Sequence, residues 1–322
     1  MKRFLSGIQP TGNPHLGNYF GAIEQHIALQ DEGECLYFIA DYHALTTVTA
    51  AAELRALSRE VALTYLALGL DPARAVLFRQ SDVPEVTELA WVLSCVTGKG
   101  LLDRAHSYKD KVARGIDPNL GLYIYPVLMA ADILIYDSDV VPVGDDQGQH
   151  LDMTRDMARS FNARYGEGLL KIPETRLSRA PRVPGTDGQK MSKSYGNTIE
   201  LFAEGKALKQ AVMGIKTDST PVAAPKNPET CTAFNLFSLL ADDTDRSAME
   251  ARYRAGGLGY GEVKKDLLAR IEAKFAPARK RRAQLAARPD DVEDVLAQGA
   301  KRARPLARVV VDRVRAACGL GR

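Results

Sequence analysis

Three short runs, apolar on nearly every position, constrain this chain most. They are Phe4-Leu5-Ser6-Gly7-Ile8, Cys35-Leu36-Tyr37-Phe38-Ile39-Ala40 and Ala75-Val76-Leu77-Phe78. A strand with one wet face alternates apolar and polar residues. A strand apolar on both faces belongs to a sheet covered on both sides, which is the parallel kind. Helical spacing fills the gaps, over 18–30 and 51–70, and returns over 85–96. Gly69 and Asp71-Pro72 close the second of these helices. Strand, helix, strand, helix, strand predicts a doubly wound parallel α/β sheet. Residues 103–118 are charged and irregular, 121–136 read as an apolar helix, 140–144 as a buried strand end and 147–165 as a polar helix. Residues 171–198 are rich in Pro, Gly, Arg and Ser and read as one long loop, a length usually tied to function. From about 199 the strand signal stops, and helical stretches follow, with breaks at 217–228 and Arg254-Ala255-Gly256-Gly257. The expected division is therefore an α/β domain over 1–200, with a helical insertion near 103–136, and a mostly α-helical C-terminal domain over 201–322. Its last helix is expected to pack back on the first domain. A chain of 322 residues has room for both.

Apolar residues at 45% and charged ones at 26% exclude a disordered or low-complexity chain. Four cysteines (35, 95, 231, 318) form no CxxC, and five histidines (15, 26, 43, 106, 150) form no HExxH, so a Cys/His metal centre is not expected. No apolar stretch approaches the roughly 18 residues that span a bilayer. The N-terminus Met-Lys-Arg-Phe-Leu-Ser-Gly carries no signal-type run. A cytoplasmic protein is the expectation, with no membrane partner.

Two loops carry chemistry. Gln9-Pro10-Thr11-Gly12-Asn13-Pro14-His15-Leu16-Gly17-Asn18 follows the first strand and opens the first helix. Ligands of such sheets lie at the carboxyl ends of strands. Gly12 and Gly17 let backbone come close, and the helix N-terminus attracts phosphate through its dipole and free N–H groups. His15 and Asn18, three apart, can both leave that turn and donate to a triphosphate. The plain alternative is a Gly/Pro turn with a surface histidine. The second loop, Lys190-Met191-Ser192-Lys193-Ser194, sets two lysines and two serines on a Gly-rich segment. A cationic flap of this kind can meet charge developing on pyrophosphate; alone it could equally be a solvated basic loop.

His15-Leu16-Gly17-Asn18 resembles the HIGH signature and Lys190–Ser194 is a full KMSKS signature. The pair, in this order, resembles the class I aminoacyl-tRNA synthetases, whose catalytic domain is Rossmann-like. Ser6–Gly12, Asp41-Tyr42-His43-Ala44, Tyr125–Leu134, Val141–Gln147 and Thr154-Arg155-Asp156 resemble the bacterial tryptophanyl-tRNA synthetase family, over essentially the whole chain. The resemblance implies ATP and Mg²⁺ as cofactors, L-tryptophan and tRNA(Trp) as partners, and a homodimer. It implies His15, Asn18, Lys111, Lys190 and Lys193 as the catalytic groups. ATP contacts are implied at Gln9, Pro10, Thr11, Gly17, Asn18, Gly144, Asp145, Asp146 and Lys190 through Ser194 (Met191, Ser192 and Lys193 between). Tryptophan contacts are implied at Leu5, Gly7, His43, Tyr125, Met129, Asp132, Val141, Val143 and Gln147, with Tyr125 and Gln147 holding the ammonium. The metal is expected on the phosphates, with no protein ligand. Helical spacing agrees: Tyr125, Met129 and Asp132 fall at i, i+4 and i+7 on one face. An indole offers one N–H donor and no acceptor, so a carboxylate in an apolar lining is its complement, with Met129 as a soft wall. A phenol would want a donor too, which speaks against the tyrosyl branch. An HxGH nucleotidyltransferase and a non-catalytic RNA-binding paralogue are the other readings; neither is expected to keep both signatures. Four departures stand out, one being that segment 171–189 is shorter than in some relatives and rich in Arg. Asn18 replaces the final His of HIGH, His15 stands where relatives often have Thr, and Leu5 where they often have an aromatic residue.

The net charge of +3 hides a division. Residues 251–322 hold 18 Lys/Arg against 8 Asp/Glu, and residues 1–250 hold 25 against 32, so +10 is set against −7. Arg279-Lys280-Arg281-Arg282 and Lys301-Arg302-Ala303-Arg304, on expected helices, are candidate tRNA contacts, the first cluster foremost.

Overall fold

In the computed structural model, which describes residues 1–105, 115, 119–143, 148–177 and 182–321, the apolar runs form adjacent parallel strands. The strands are β1 (Arg3–Ile8), β2 (Glu34–Ile39), β3 (Ala75–Arg79), β4 (Val140–Val143) and β5 (Glu174–Leu177). Among the described residues the sheet has five strands in the order β3-β2-β1-β4-β5. Leu5 lies opposite Leu36, and Leu36 opposite Val76, so like positions of neighbouring strands form apolar rows. The order reverses direction beside β1, the switch point at which such sheets bind ligands.

Helices cover both faces. Leu5, Leu36, Phe38, Val76 and Phe78 point to one side, into a core shared with α5 (Glu85–Ser94), α7 (Leu120–Leu134), α8 (Gly148–Tyr165) and α13 (Pro289–Cys318). On the other side Tyr37 stacks against His26 of α2 (Glu24–Leu29) and meets Tyr65 of α4 (Ala51–Leu68). The N-cap of α7 is Asn119, whose side chain accepts the Leu122 N–H at 2.9 Å. Gly69, at φ 114°, closes α4 as expected, with Leu68 the last helical residue where the pattern runs to Leu70. The helix expected over 18–30 is three pieces: α1 (Leu16–Asn18), a π-helical turn at Tyr19–Ile23, and α2. The remaining helices are α3 (Asp41–Ala44), α6 (Lys99–Asp103), α9 (Gly205–Met213), α10 (Thr232–Ser238), α11 (Asp243–Ala255) and α12 (Tyr260–Ala286).

One strand corrects the sequence reading. Glu174-Thr175-Arg176-Leu177, expected within a loop, pairs with β4 as an edge strand. Its residues carry no apolar alternation, and Arg176 faces water, donating to Glu32 at 2.5 and 3.1 Å. An edge strand this short and polar leaves no periodic signal.

The chain forms two compact units. The first comprises residues 1–12, 26–178 and 285–322; the second comprises 13–25 and 179–284. The crossings do not coincide with the 200/201 division expected from the loss of strand signal near 199. The reason is local: Leu16 N–H donates to Ile199 O and Leu201 N–H to Pro14 O, both at 3.0 Å, so the first turn after β1 joins the distant loop. In the first unit α13 lies on β3 so closely that a Cβ on Gly299 would stand 1.9 Å from the Leu77 carbonyl oxygen.

Candidate active site

At the carboxyl ends of β2 and β3, three side chains converge. Asp132, on the inner face of α7, is 2% exposed. Its Oδ2 stands 2.8 Å from His43 Nε2, on α3 just past β2. The Gln80 Nε2, directly after β3, donates to Asp132 Oδ1 at 2.7 Å and Oδ2 at 2.9 Å. Burial pushes the Asp132 carboxyl above its ordinary range, and the His43 and Gln80 donors oppose that push. The Tyr125 ring lies edge-on to His43, with centroids 6.2 Å apart, and its hydroxyl meets His150 Nε2 at 3.0 Å. Met129, half-buried, packs on the same core. Leu5 and Val141 are buried in their strands at 0% and 3% exposure. Gly7, on β1, is glycine because a Cβ would stand 2.5 Å from Phe38 Cζ. The Asp132 carboxyl is thus held by His43 and Gln80, with the Tyr125 ring edge-on to His43 and Met129 one turn before Asp132 on α7. Sequence reasoning missed Gln80 and His150. Gln80 had a positional signal, the first residue after a buried strand; His150 had none beyond its helix.

In the second unit, His15 precedes α1 and is 6% exposed. Burial first, and the Lys193 ammonium second, lower its pKa to about 4, so it is neutral near pH 7. The first turn departs from the expectation of free amides. Asn18 Oδ1 accepts the His15 N–H at 3.0 Å, and Met191 Sδ accepts that of Gly17 at 3.3 Å. The Asn18 N–H returns to His15 O at 2.9 Å, and the Leu16 N–H goes to Ile199. Thus Met191, expected to touch ATP, is 4% exposed and packs into α1. A thioether is a weak acceptor, so the Gly17 amide is the one an anion would capture most readily. A Cβ on Gly17 would stand 2.9 Å from His15 Nδ1 and 3.3 Å from Met191 Cβ. Lys190, Lys193 and Ser194 are exposed. Ser192 and Ser194 share a hydroxyl contact of 2.8 Å. The loop is closed by Asn197, which was not expected to take part. It is 2% exposed, accepts the Ser192 N–H at 2.8 Å and donates to Asp187 and to the Lys190 carbonyl at 2.7 and 3.2 Å.

Gln9 and Thr11 are exposed and Pro10 buried, in the loop after β1. Lys111, Gly144, Asp145, Asp146, Gln147 and the side chain of Val143 lie outside the described residues. The basic clusters need correction. Arg279 is 9% exposed and donates to Leu201 O at 3.2 Å, so its guanidinium belongs to the interior. Arg282 is half-buried, 5.0 Å over the Phe202 ring, whereas Lys280 and Arg281 are exposed. Arg302 donates to Pro72 O at 2.8 Å and Arg304 to Glu85 at 2.7 Å, so two members of the later cluster fasten α13 to its own unit.

The description "tRNA synthetases class I (W and Y)" belongs to the family model that matches residues 1–276. The chain belongs to that family. Within this synthetase family it is 54% identical over 318 residues to the tryptophan–tRNA ligase of Rhodopirellula baltica, covering 99% of each chain. It is 53% identical over 321 residues to that of Fusobacterium nucleatum, covering 99% of this chain and 98% of the other. The solved tryptophanyl-tRNA synthetase of Campylobacter jejuni, complexed with ADP and tryptophan, superposes at a TM-score of 0.92 with 44% identity, covering 99% of this chain and all (100%) of that one. The tyrosyl-tRNA synthetase of Archaeoglobus fulgidus, at 22% identity and a TM-score of 0.69, shares the fold.

Proposed function

We propose that this synthetase joins L-tryptophan to tRNA(Trp) at the expense of ATP. The end-to-end identity of 54% to a tryptophan–tRNA ligase carries the reading. The buried Asp132 acceptor agrees with it. In the first step the tryptophan carboxylate attacks the α-phosphorus of ATP-Mg²⁺. The bond to the bridging oxygen breaks and pyrophosphate leaves, giving tryptophanyl-adenylate. In the second a terminal ribose hydroxyl of the tRNA takes the acyl group, loses its proton and releases AMP.

The carboxylate is already ionised, so the protein supplies no nucleophile. It supplies position and charge. Asp132 accepts the indole N–H, Met129 walls the ring, and Tyr125 with Gln147 holds the ammonium. Lys190, Lys193 and Lys111 meet the charge on the departing pyrophosphate. Neutral His15 can donate one hydrogen bond but brings no charge. Among the described residues no three His, Cys, Asp or Glu side chains group to hold a metal ion. The Mg²⁺ is read as arriving on the phosphates of its nucleotide substrate, as is common for this ion. The catalytic role is assigned to residues 1–200, the tRNA role to 201–322, and Lys280 and Arg281 are its candidate contacts. A homodimer working in the cytoplasm completes the reading; no helix among the described residues is long and apolar enough to cross a membrane.

The test is ATP–pyrophosphate exchange with each of the twenty amino acids. Tryptophan alone is expected to support it. Exchange with tyrosine and not tryptophan would overturn the assignment.

A further inference from the structure

We infer that Gln80 is a specificity-positioning residue: its amide holds Asp132 oriented, with one acceptor position left, so that an indole N–H is the donor the pocket rewards. The inference deepens the reading of Asp132 as the indole acceptor and rests on it.

The orientation of the amide is decided by its partners. Gln80 Oε1 accepts the backbone N–H of Tyr42 at 3.1 Å, so Nε2 must face the carboxylate. The same α3 segment is tied again to the end of β3, since Asp41 Oδ1 accepts the Ser81 N–H at 3.0 Å and the Tyr42 N–H at 3.1 Å. The amide therefore sits in a fixed frame, 1% exposed. A carboxylate has about four lone-pair positions. Among the described residues, Gln80 takes one on each oxygen and His43 a second on Oδ2. One remains, on Oδ1. A donor fits there and a second acceptor does not. The groups facing Asp132 are Gln80 from the β3 end and His43 and Asp41 from α3, with Tyr136 farther along its own segment. Burial disfavours the Asp132 charge and Asp41 repels it; His43 opposes this most and the Gln80 N–H bonds add to it, while among the described residues Gln80 alone bonds both carboxylate oxygens and so fixes their orientation. Without them the carboxylate loses the partner that holds both its oxygens in place and one of the groups that favour its charged form, and the preference for an N–H partner falls.

The experiment uses the full chain and compares kcat/KM for tryptophan with that for β-(3-benzothienyl)alanine, in which sulfur replaces the N–H. Exchange is followed from pH 6 to 9 in wild type, Gln80→Leu, Gln80→Glu and Asp132→Asn. Gln80→Leu is expected to lower the tryptophan preference by about tenfold or more. In Gln80→Glu the introduced carboxyl can share one proton with Asp132 and mimic the amide. Its kcat/KM for tryptophan is expected to approach wild type near pH 6 and to fall about tenfold or more by pH 9, where the wild type does not. A purely architectural role predicts equal losses for both substrates at every pH. If Asp132→Asn lowers the preference but both Gln80 variants keep the wild-type preference and pH profile, the inference is overturned. If Asp132→Asn itself leaves the preference unchanged, the underlying reading of Asp132 fails instead. Should Gln80→Leu not fold, the Gln80→Glu profile decides.

Discussion

Gly7 and Gly17 are fixed by lack of room, and each marks a place where backbone must reach the surface of a site. At Gly7 the obstacle is the Phe38 ring, itself packed on Phe78 in the sheet core. Gly7→Ala is expected to cost about 1–3 kcal/mol by overpacking. Urea denaturation checks it; an unchanged midpoint would mean that the ring moves aside freely. Lys193 has a different role. Removing its ammonium with Lys193→Ala is expected to slow ATP–pyrophosphate exchange by about a hundredfold, and a loss of only a few-fold would remove it from the catalytic group. The same variant deletes one of the two causes that lower His15, so the His15 pKa should rise from about 4 while burial still holds it below 6.5. An NMR titration of the imidazole measures this directly.

Packing between elements explains the acid sensitivity expected of the first unit. His26 of α2 is wholly enclosed between Tyr37 of β2 and Tyr65 of α4, with Nδ1 2.8 Å from the Tyr65 hydroxyl. Burial lowers its pKa to about 4. The unfolded chain binds a proton here near pH 6.5, before the folded chain does. Acid therefore destabilises the fold across the window from 6.5 down to 4, and above 6.5 the residue contributes no pH dependence. The loss reaches about 3 kcal/mol at the bottom of the window. Unfolding free energies measured at pH 7, 5.5 and 4 should show the decline, and it should flatten in His26→Phe. A decline as steep in the variant would assign it to other groups. The α13 contact shows the same principle at longer range. Arg315 donates to both oxygens of Glu88 at 2.6 Å, and Arg313 to Asp137 at 2.7 Å, so several basic side chains of this helix pair with acidic residues of its own unit.

For the whole molecule, this changes what the charge division means. The +10 of residues 251–322 is not one surface for a polyanion, since part of it is internal ion pairing. Lys280 and Arg281 remain exposed. Reversing both to Glu is expected to lower kcat/KM for aminoacylation of tRNA by about tenfold or more and to weaken its salt dependence, with exchange kept within twofold; equal loss in both assays would make them structural. The sequence by itself determined the parallel sheet, because strands buried on both faces must be apolar at every step, and it determined the two signatures and the Tyr125, Met129, Asp132 face, because those depend on spacing along one element. It could not show β5, whose stability comes from a neighbour and not from its own pattern. It could not separate Arg279 from Arg281, since a helix carries the same letters whichever side meets the interior. Only the tertiary structure brought Gln80 and His43 onto Asp132, seated Met191 in the first turn and placed Asn197 inside its loop. Hydrogen bonds between residues 52, 89 and 174 positions apart leave no periodicity to read, and they decide what each buried polar group can accept.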